Sequence, residues 1–190
     1  HRLSVRAGGL VAAVSGPVQN EAVQHIVVMG VSGSGKSTTG GALAARMGWP
    51  FIEGDSFHPA ENVAKMRAGT PLNDADRAPW LRALADEFAR NQARGQSSVM
   101  GCSALKRGYR DILRSGAPRV RFLHVHGTRA ILEDRLSHRE GHFFPAALLD
   151  SQLGTLEMLG PDEDGAMVDM ALSVEDQVAL ALRLLELLPP

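Results

Sequence analysis

Gly30-Val31-Ser32-Gly33-Ser34-Gly35-Lys36-Ser37 fits the spacing Gly, four residues, Gly-Lys-Ser/Thr. Glycines at these positions let the backbone close into a concave nest whose N–H groups point inward at phosphate oxygens. A helix that starts at such a nest adds its N-terminal partial positive charge at the same spot. Lys36 can reach β- and γ-phosphates, and the Ser37 hydroxyl can ligate Mg²⁺. The candidate phosphate-binding residues are therefore Gly30, Ser32, Gly33, Ser34, Gly35, Lys36, Ser37 and Thr38. A Gly/Ser-rich turn that holds a lysine by chance is the plain alternative. The flanking segments, an apolar run before and an Ala/Leu/Arg-bearing run after, favour the phosphate site.

Glu53 and Asp55 stand two apart at the end of a short apolar segment, so as strand residues their carboxylates share a face. One can steer Mg²⁺ and the other can accept a proton from a substrate hydroxyl. A pair of solvated acids is the alternative, weakened by the phosphate loop upstream. The polar turn Gly54-Asp55-Ser56-Phe57-His58-Pro59 follows, and Asn73-Asp74-Ala75-Asp76-Arg77 reads as a helix-capping turn.

Cys102-Ser103-Ala104-Leu105-Lys106 ends a further apolar run, with Arg110 one helical turn on. Ser103, Lys106 and Arg110 can meet a hydroxylated, anionic substrate. The run Val99-Met100-Gly101-Cys102 carries no acid, so a metal must rely on Ser37, phosphates and waters, with Glu53 or Asp55 as candidate further ligands. Arg135 and Arg139 are four apart, on one helix face, just before Gly141-His142-Phe143-Phe144-Pro145. Two guanidiniums there can stabilise charge on a transferring phosphoryl group.

Strands and helices that alternate can position these groups. The expected strands are 25–29, 51–53, 97–102, 121–125 and 166–169. The expected helices are 38–47, 62–68, one opening at Pro79-Trp80, 109–114, 128 to about 139, 146–156 and 174–188. That alternation predicts a three-layer α/β/α domain on a parallel sheet, with ligands in the crevice at the C-terminal strand ends.

At 190 residues the chain suits one domain, with 44% hydrophobic and 22% charged residues. A net charge of −1 argues against a general nucleic-acid binder, and no apolar run reaches the length of a membrane span. A single cysteine, Cys102, excludes an internal disulfide and is compatible with a reducing compartment. Residues 1–24, basic and glycine-diluted, read as a flexible extension without a catalytic role, ahead of a domain at 25–190.

Taken together the segments name a family. Met29 to Ser37, Gly54 to Pro59, Lys65-Met66, Gly69 to Arg77, Pro79 to Leu81, Cys102 to Lys106, Tyr109 to Asp111 and Arg139 to Phe144 occur densely and in order. From about residue 25 onward the chain resembles the gluconate kinases, a group of shikimate-kinase-like phosphate-loop kinases. The resemblance implies the P-loop NTPase fold with a five-stranded parallel sheet, and transfer of the ATP γ-phosphoryl group to the 6-hydroxyl of D-gluconate with Mg²⁺. It implies a cytoplasmic homodimer with no nucleic-acid or membrane partner. It implies a substrate-binding segment near residues 55–80 and a lid near 137–145. By position, Lys36, Asp55 and Arg139 are catalytic, with Asp55 as base or hydroxyl-orienting group. Asp55, His58, Arg67, Lys106, Arg110 and His142 would hold gluconate. Arg135 would lie near adenine and Arg139 near the phosphates, and Ser37, Glu53 and Asp55 would face the metal. Glu53 stands where relatives often carry Asp.

Three other readings are weaker. A kinase of this fold acting on shikimate or a nucleoside monophosphate would share the loop. A regulatory GTPase would need an Asn-Lys-x-Asp segment, which the chain lacks, although Asp162 to Gly165 imitates a switch pattern. A non-catalytic ATP module would not need the paired carboxylates.

Overall fold

The computed structural model describes residues 22–138 and 146–190. The positions expected at Arg139, His142 and the 141–145 loop, and most of the N-terminal extension, lie outside them. The sheet is built on β1 (His25–Met29), flanked by β3 (Ser98–Gly101) and β4 (Val120–His126). Beyond these lie β2 (Phe51–Glu53) and β5 (Gly165–Asp169), so the order is β2-β3-β1-β4-β5, with every pairing parallel. Parallel strands need crossovers that bury both sheet faces. That burial explains why β1 is apolar at successive positions instead of alternating.

Period-two geometry divides the strand side chains between two cores. On one face Ile26, Val28, Val99, Leu123 and Val125 pack with Leu43 and Met47 of α1 (Lys36–Met47) and Leu132 of α5 (Arg129–Ser137). Leu149 of α6 (Ala146–Thr155) and Val178 of α7 (Val174–Leu184) complete that layer. On the other face Val27, Met29, Met100 and Phe122 meet Trp80, Leu81, Leu84 and Phe88 of α3 (Asp74–Ala93) and Leu113 of α4 (Arg107–Arg114). The short α2 (Ala60–Arg67) stands beside α3. The three-layer α/β/α expectation describes the protein.

Several boundaries differ from expectation, the closing helix for one ending at Leu184 and not at 188, and two of the differences have a clear physical reason. Helix α3 begins at Asp74, ahead of Pro79, because Asn73 and Asp76 close a reciprocal capping box. Pro79 lies inside the helix, where its missing N–H is tolerated alongside the burial of Trp80 and Leu81. The folded domain also reaches back before residue 25. Val23 is buried, and Gln24 is held at both ends: its N–H donates to Ser97 Oγ at 3.0 Å and its Oε1 accepts from Arg121 at 2.6 Å.

Candidate active site

The loop after β1 wraps the N-terminus of α1. Gly35 caps that helix in the left-handed region (φ 86°), with no side-chain cap and no acidic residue in the first turn. The first N–H groups of α1 therefore have no side-chain acceptor and face the loop, an arrangement built for an anion. Gly33, also left-handed (φ 84°), lies under Leu136 of α5; a Cβ there would stand 2.9 Å from that side chain. Ser34 Oγ is buried and lacks a hydrogen-bond partner among the described residues. Lys36 is half-buried, whereas Ser37 and Thr38 are exposed.

Register brings the acids to this loop. Glu53 pairs alongside Gly101 at the C-terminal end of the sheet, next to the end of β1. The Ser37 hydroxyl donates to Glu53 Oε2 at 2.8 Å, joining the phosphate loop to β2. Asp55, exposed, follows in a 3₁₀ turn, Gly54–Phe57. Cys102 lies beneath these groups. Burial pushes its thiol up to about 12, with Asp55 and Glu53 adding to the rise and Lys36 opposing it.

His58 stands beside Asp55. Its ring stacks on Trp80 at 4.1 Å, and Trp80 Nε1 donates to Gly54 O at 2.9 Å, which fixes the turn carrying Asp55. Asn62 Nδ2 lies 3.2 Å from His58 Nδ1 and must donate there, so the proton of the neutral ring sits on Nε2. That nitrogen is 4.0 Å from Asp55 Oδ1. Burial lowers the His58 pKa; Asp55 works against that shift and Arg77 with it. The imidazole is thus neutral near pH 7.

A second cluster rims the crevice. Lys106 Nζ donates to Asp74 at 3.3 Å, and the Tyr109 hydroxyl donates to the same carboxylate. Arg77 Nη1 donates to Leu72 O at 2.7 Å and approaches the Tyr109 hydroxyl at 3.4 Å. Lys65 Nζ holds Asp76 at 2.8 Å, and Asn62 Nδ2 donates to Asp76 O at 2.9 Å. Arg67 is exposed, and its side chain makes no ion pair or hydrogen bond to the described residues. Arg135 donates to Met170 O at 2.7 Å, and its Nη1 would lie 3.6 Å from a Cβ on Gly35, close over the phosphate loop.

The structure places Arg110 elsewhere. Its side chain is fully buried and bidentate on Glu163, with Nε to Oε2 at 2.7 Å and Nη2 to Oε1 at 2.9 Å. Its remaining donors go to Ala104 O at 2.9 Å and Met158 O at 3.4 Å. With four of its five N–H donors taken and the side chain fully buried, Arg110 does not face the crevice as a substrate ligand. It supports the β3–α4 loop, where Ala104 is left-handed (φ 47°).

Sequence reasoning missed Asp74, Tyr109 and Trp80, and it missed Gln152 of α6. Gln152 Oε1 accepts from Ser32 N–H at 2.7 Å, and its Nε2 donates to Ser32 Oγ at 3.0 Å. The one available signal was a polar side chain on the helix face shared by Leu149, Leu153 and Leu156.

A protein-family profile described as an AAA domain matches residues 26–159. The chain is 55% identical to the gluconokinase of Gluconobacter oxydans over 141 residues, which cover 74% of this chain and 79% of that one. The crystal structure of a sugar kinase from a Janibacter species superposes with a TM-score of 0.83 at 50% identity, over 88% of this chain and 96% of the other. That of a gluconokinase from Sinorhizobium meliloti gives 0.79 at 48% identity, over 86% and 91%. With a glycine nest at a helix start, a lysine in it and two carboxylates across the crevice, the chain belongs to the gluconokinase family of phosphate-loop kinases.

Proposed function

We propose that this chain transfers the γ-phosphoryl group of ATP to the 6-hydroxyl of D-gluconate, giving 6-phospho-D-gluconate. The observation that carries this reading is the Ser37–Glu53 hydrogen bond. It seats the nucleotide-phosphate loop and the acid-bearing strand end within one side chain of each other. Family membership supplies the acceptor.

In this reading the loop N–H groups and Lys36 hold the β- and γ-phosphates, and Arg135 flanks the nucleotide. Asp55 orients the 6-hydroxyl and takes its proton as the oxygen attacks phosphorus. His58 Nε2–H donates to a neighbouring substrate hydroxyl, held in place by the Trp80 stack. Lys106 and Arg67 receive the carboxylate of gluconate. For Lys106 that means exchanging Asp74 for the substrate. Arg139 and His142 are assigned to the phosphates and to gluconate by family position.

Ser37, Glu53 and Asp55 would hold Mg²⁺. Their hard oxygen donors fit that ion, as does the small number of protein ligands, since Mg²⁺ keeps several waters. When bound, the ion offsets charge between the β- and γ-phosphates. A cytoplasmic homodimer completes the proposal; no helix among the described residues is long and apolar enough to cross a membrane.

Steady-state assays with ATP across gluconate, shikimate, glycerate, glucose and AMP test the reading. Turnover with gluconate at a kcat/KM at least about a hundredfold above every alternative is expected, since a site built for specific polar groups rejects analogues that lack them. Comparable use of any alternative would end it. Sedimentation analysis tests the dimer.

A further inference from the structure

We infer that Gln152 is a positioning residue for the phosphate loop, acting through Ser32 to hold the loop in its ATP-ready shape before nucleotide arrives. The inference rests on the ATP-dependent reading above.

Helix α6 turns Leu149, Gln152 and Leu153 inward by helical spacing, and Leu156 follows just past its end. Leu149 is buried in the α1/α5 core, with Leu153 and Leu156 packed against it. Arg129 of α5 pairs with Asp150 on the same helix. The helix is thus anchored independently of Gln152, whose amide reaches the loop from a fixed base.

The contact fits Ser32 on both sides of the amide. A backbone N–H can only donate, so Oε1 must be the atom facing it, and Nε2 is left to donate to Ser32 Oγ. The Ser32 N–H is taken by Gln152 Oε1, and the Ser32 hydroxyl oxygen accepts from the same amide. This residue, expected from its place in the loop to bind phosphate, is instead the point where the loop is pinned. The anion falls to the residues from Gly33 onward.

Pinning matters because the loop is glycine-rich and has many alternative shapes when free. Apparent affinity falls by the fraction of molecules already in the binding shape. A loop that is held is nearly all competent; if release leaves about a tenth competent, the ATP Kd rises about tenfold. Once ATP is saturating, the competent shape is selected and the chemistry is restored.

Gln152→Met keeps the length and packing of the side chain and removes both hydrogen bonds. Calorimetry of ATP binding should show Kd raised about tenfold, with kcat and gluconate KM at saturating ATP within about twofold of wild type. Ser32→Ala should weaken ATP binding severalfold in the wild-type background and hardly at all in Gln152→Met, because the partner of its hydroxyl is already gone. An ATP Kd raised less than about threefold, or equal effects of Ser32→Ala in both backgrounds, overturns the inference. So does a rise in gluconate KM as large as that in ATP Kd. A fall in melting temperature with ATP affinity unchanged would reduce Gln152 to a packing residue. Should Gln152→Met not fold, amide exchange on the wild-type chain without nucleotide decides. Ser32 N–H must exchange at least about tenfold more slowly than a free amide, and exchange at the free rate overturns the inference. Failure of the wild type itself to bind ATP would count against the ATP reading as a whole, which the Gln152 comparison leaves separate.

Discussion

Arg110 and Glu163 meet side-on inside the protein, two donors on two acceptors, with both side chains almost wholly shielded from water. Glu163 also accepts from Arg114 at 2.8 Å and from Gly160 N–H at 3.1 Å. The pair ties the segment before β5 to the loop that carries Ser103 and Lys106 into the crevice. A buried charge stripped of its partner is expensive, so Arg110→Met should destabilise the fold by about 3–5 kcal/mol. Replacing both, as Arg110→Met with Glu163→Leu, should recover part of that loss. Chemical denaturation measures both; an Arg110→Met loss below about 1 kcal/mol would remove the pair from the account.

The same carboxyl sets an acid limb. Hydrogen bonds from Arg110 hold the Glu163 pKa down to about 2, from an ordinary 4.5. A depressed folded-state pKa gives stability that is complete above the unfolded value and lost as pH falls through the folded one. The contribution should therefore be full above about pH 4.5 and decline toward pH 2. Glu163→Gln should flatten the curve of melting temperature against pH across that window. A curve as steep as wild type would assign the acid limb to other groups.

Lys36→Ala removes the charge that the proposed mechanism sets against the transferring phosphate, from a half-buried position whose backbone is fixed by the loop and α1. Turnover should fall by about a hundredfold or more, with the melting temperature nearly unchanged. Activity within a factor of a few of wild type would take Lys36 out of the reaction.

Lys106→Met should raise gluconate KM about ten- to hundredfold, the equivalent of one charge-assisted hydrogen bond. ATP affinity should stay the same, because Lys106 follows β3 while the phosphate loop follows β1. Loss of ATP binding with gluconate unaffected would reverse the assignment.

A chain starting at His25 should melt below one starting at Ala22. The shorter form loses the buried Val23 and leaves Arg121 without the Gln24 acceptor, worth about 1–3 kcal/mol together. Equal melting temperatures would show that neither residue holds the N-terminal end of the central strand β1.

Periodicity and punctuation made the layered fold legible. β1 reads as buried because it is apolar at every position except His25, and Gly35-Lys36 marks the helix start by its chemistry. The strand end at Glu53 was legible, but the same-face argument for Asp55 was not met: β2 stops at Glu53, and Asp55 lies in the 3₁₀ turn Gly54–Phe57, where period-two strand geometry no longer applies. Arg110 was not legible, because one helical turn from Lys106 says which residues are near and not which way a side chain turns. Its direction is decided by Glu163, 53 residues later, a partner no local pattern reveals. Gln152 and Ser32 are 120 residues apart and meet for the same kind of reason. Pro79 misled because proline is a strong start signal for a helix, and here the capping box of Asn73 and Asp76 is stronger.

Cys102, the single cysteine of the chain, lies under Glu53 and Asp55 and is 1% exposed, with its thiol pushed up to about 12. Oxidants and alkylating reagents attack the thiolate, which this environment withholds at physiological pH. The crevice thus contains a sulfur held as a buried, protonated thiol, the form that oxidants and alkylating reagents attack least.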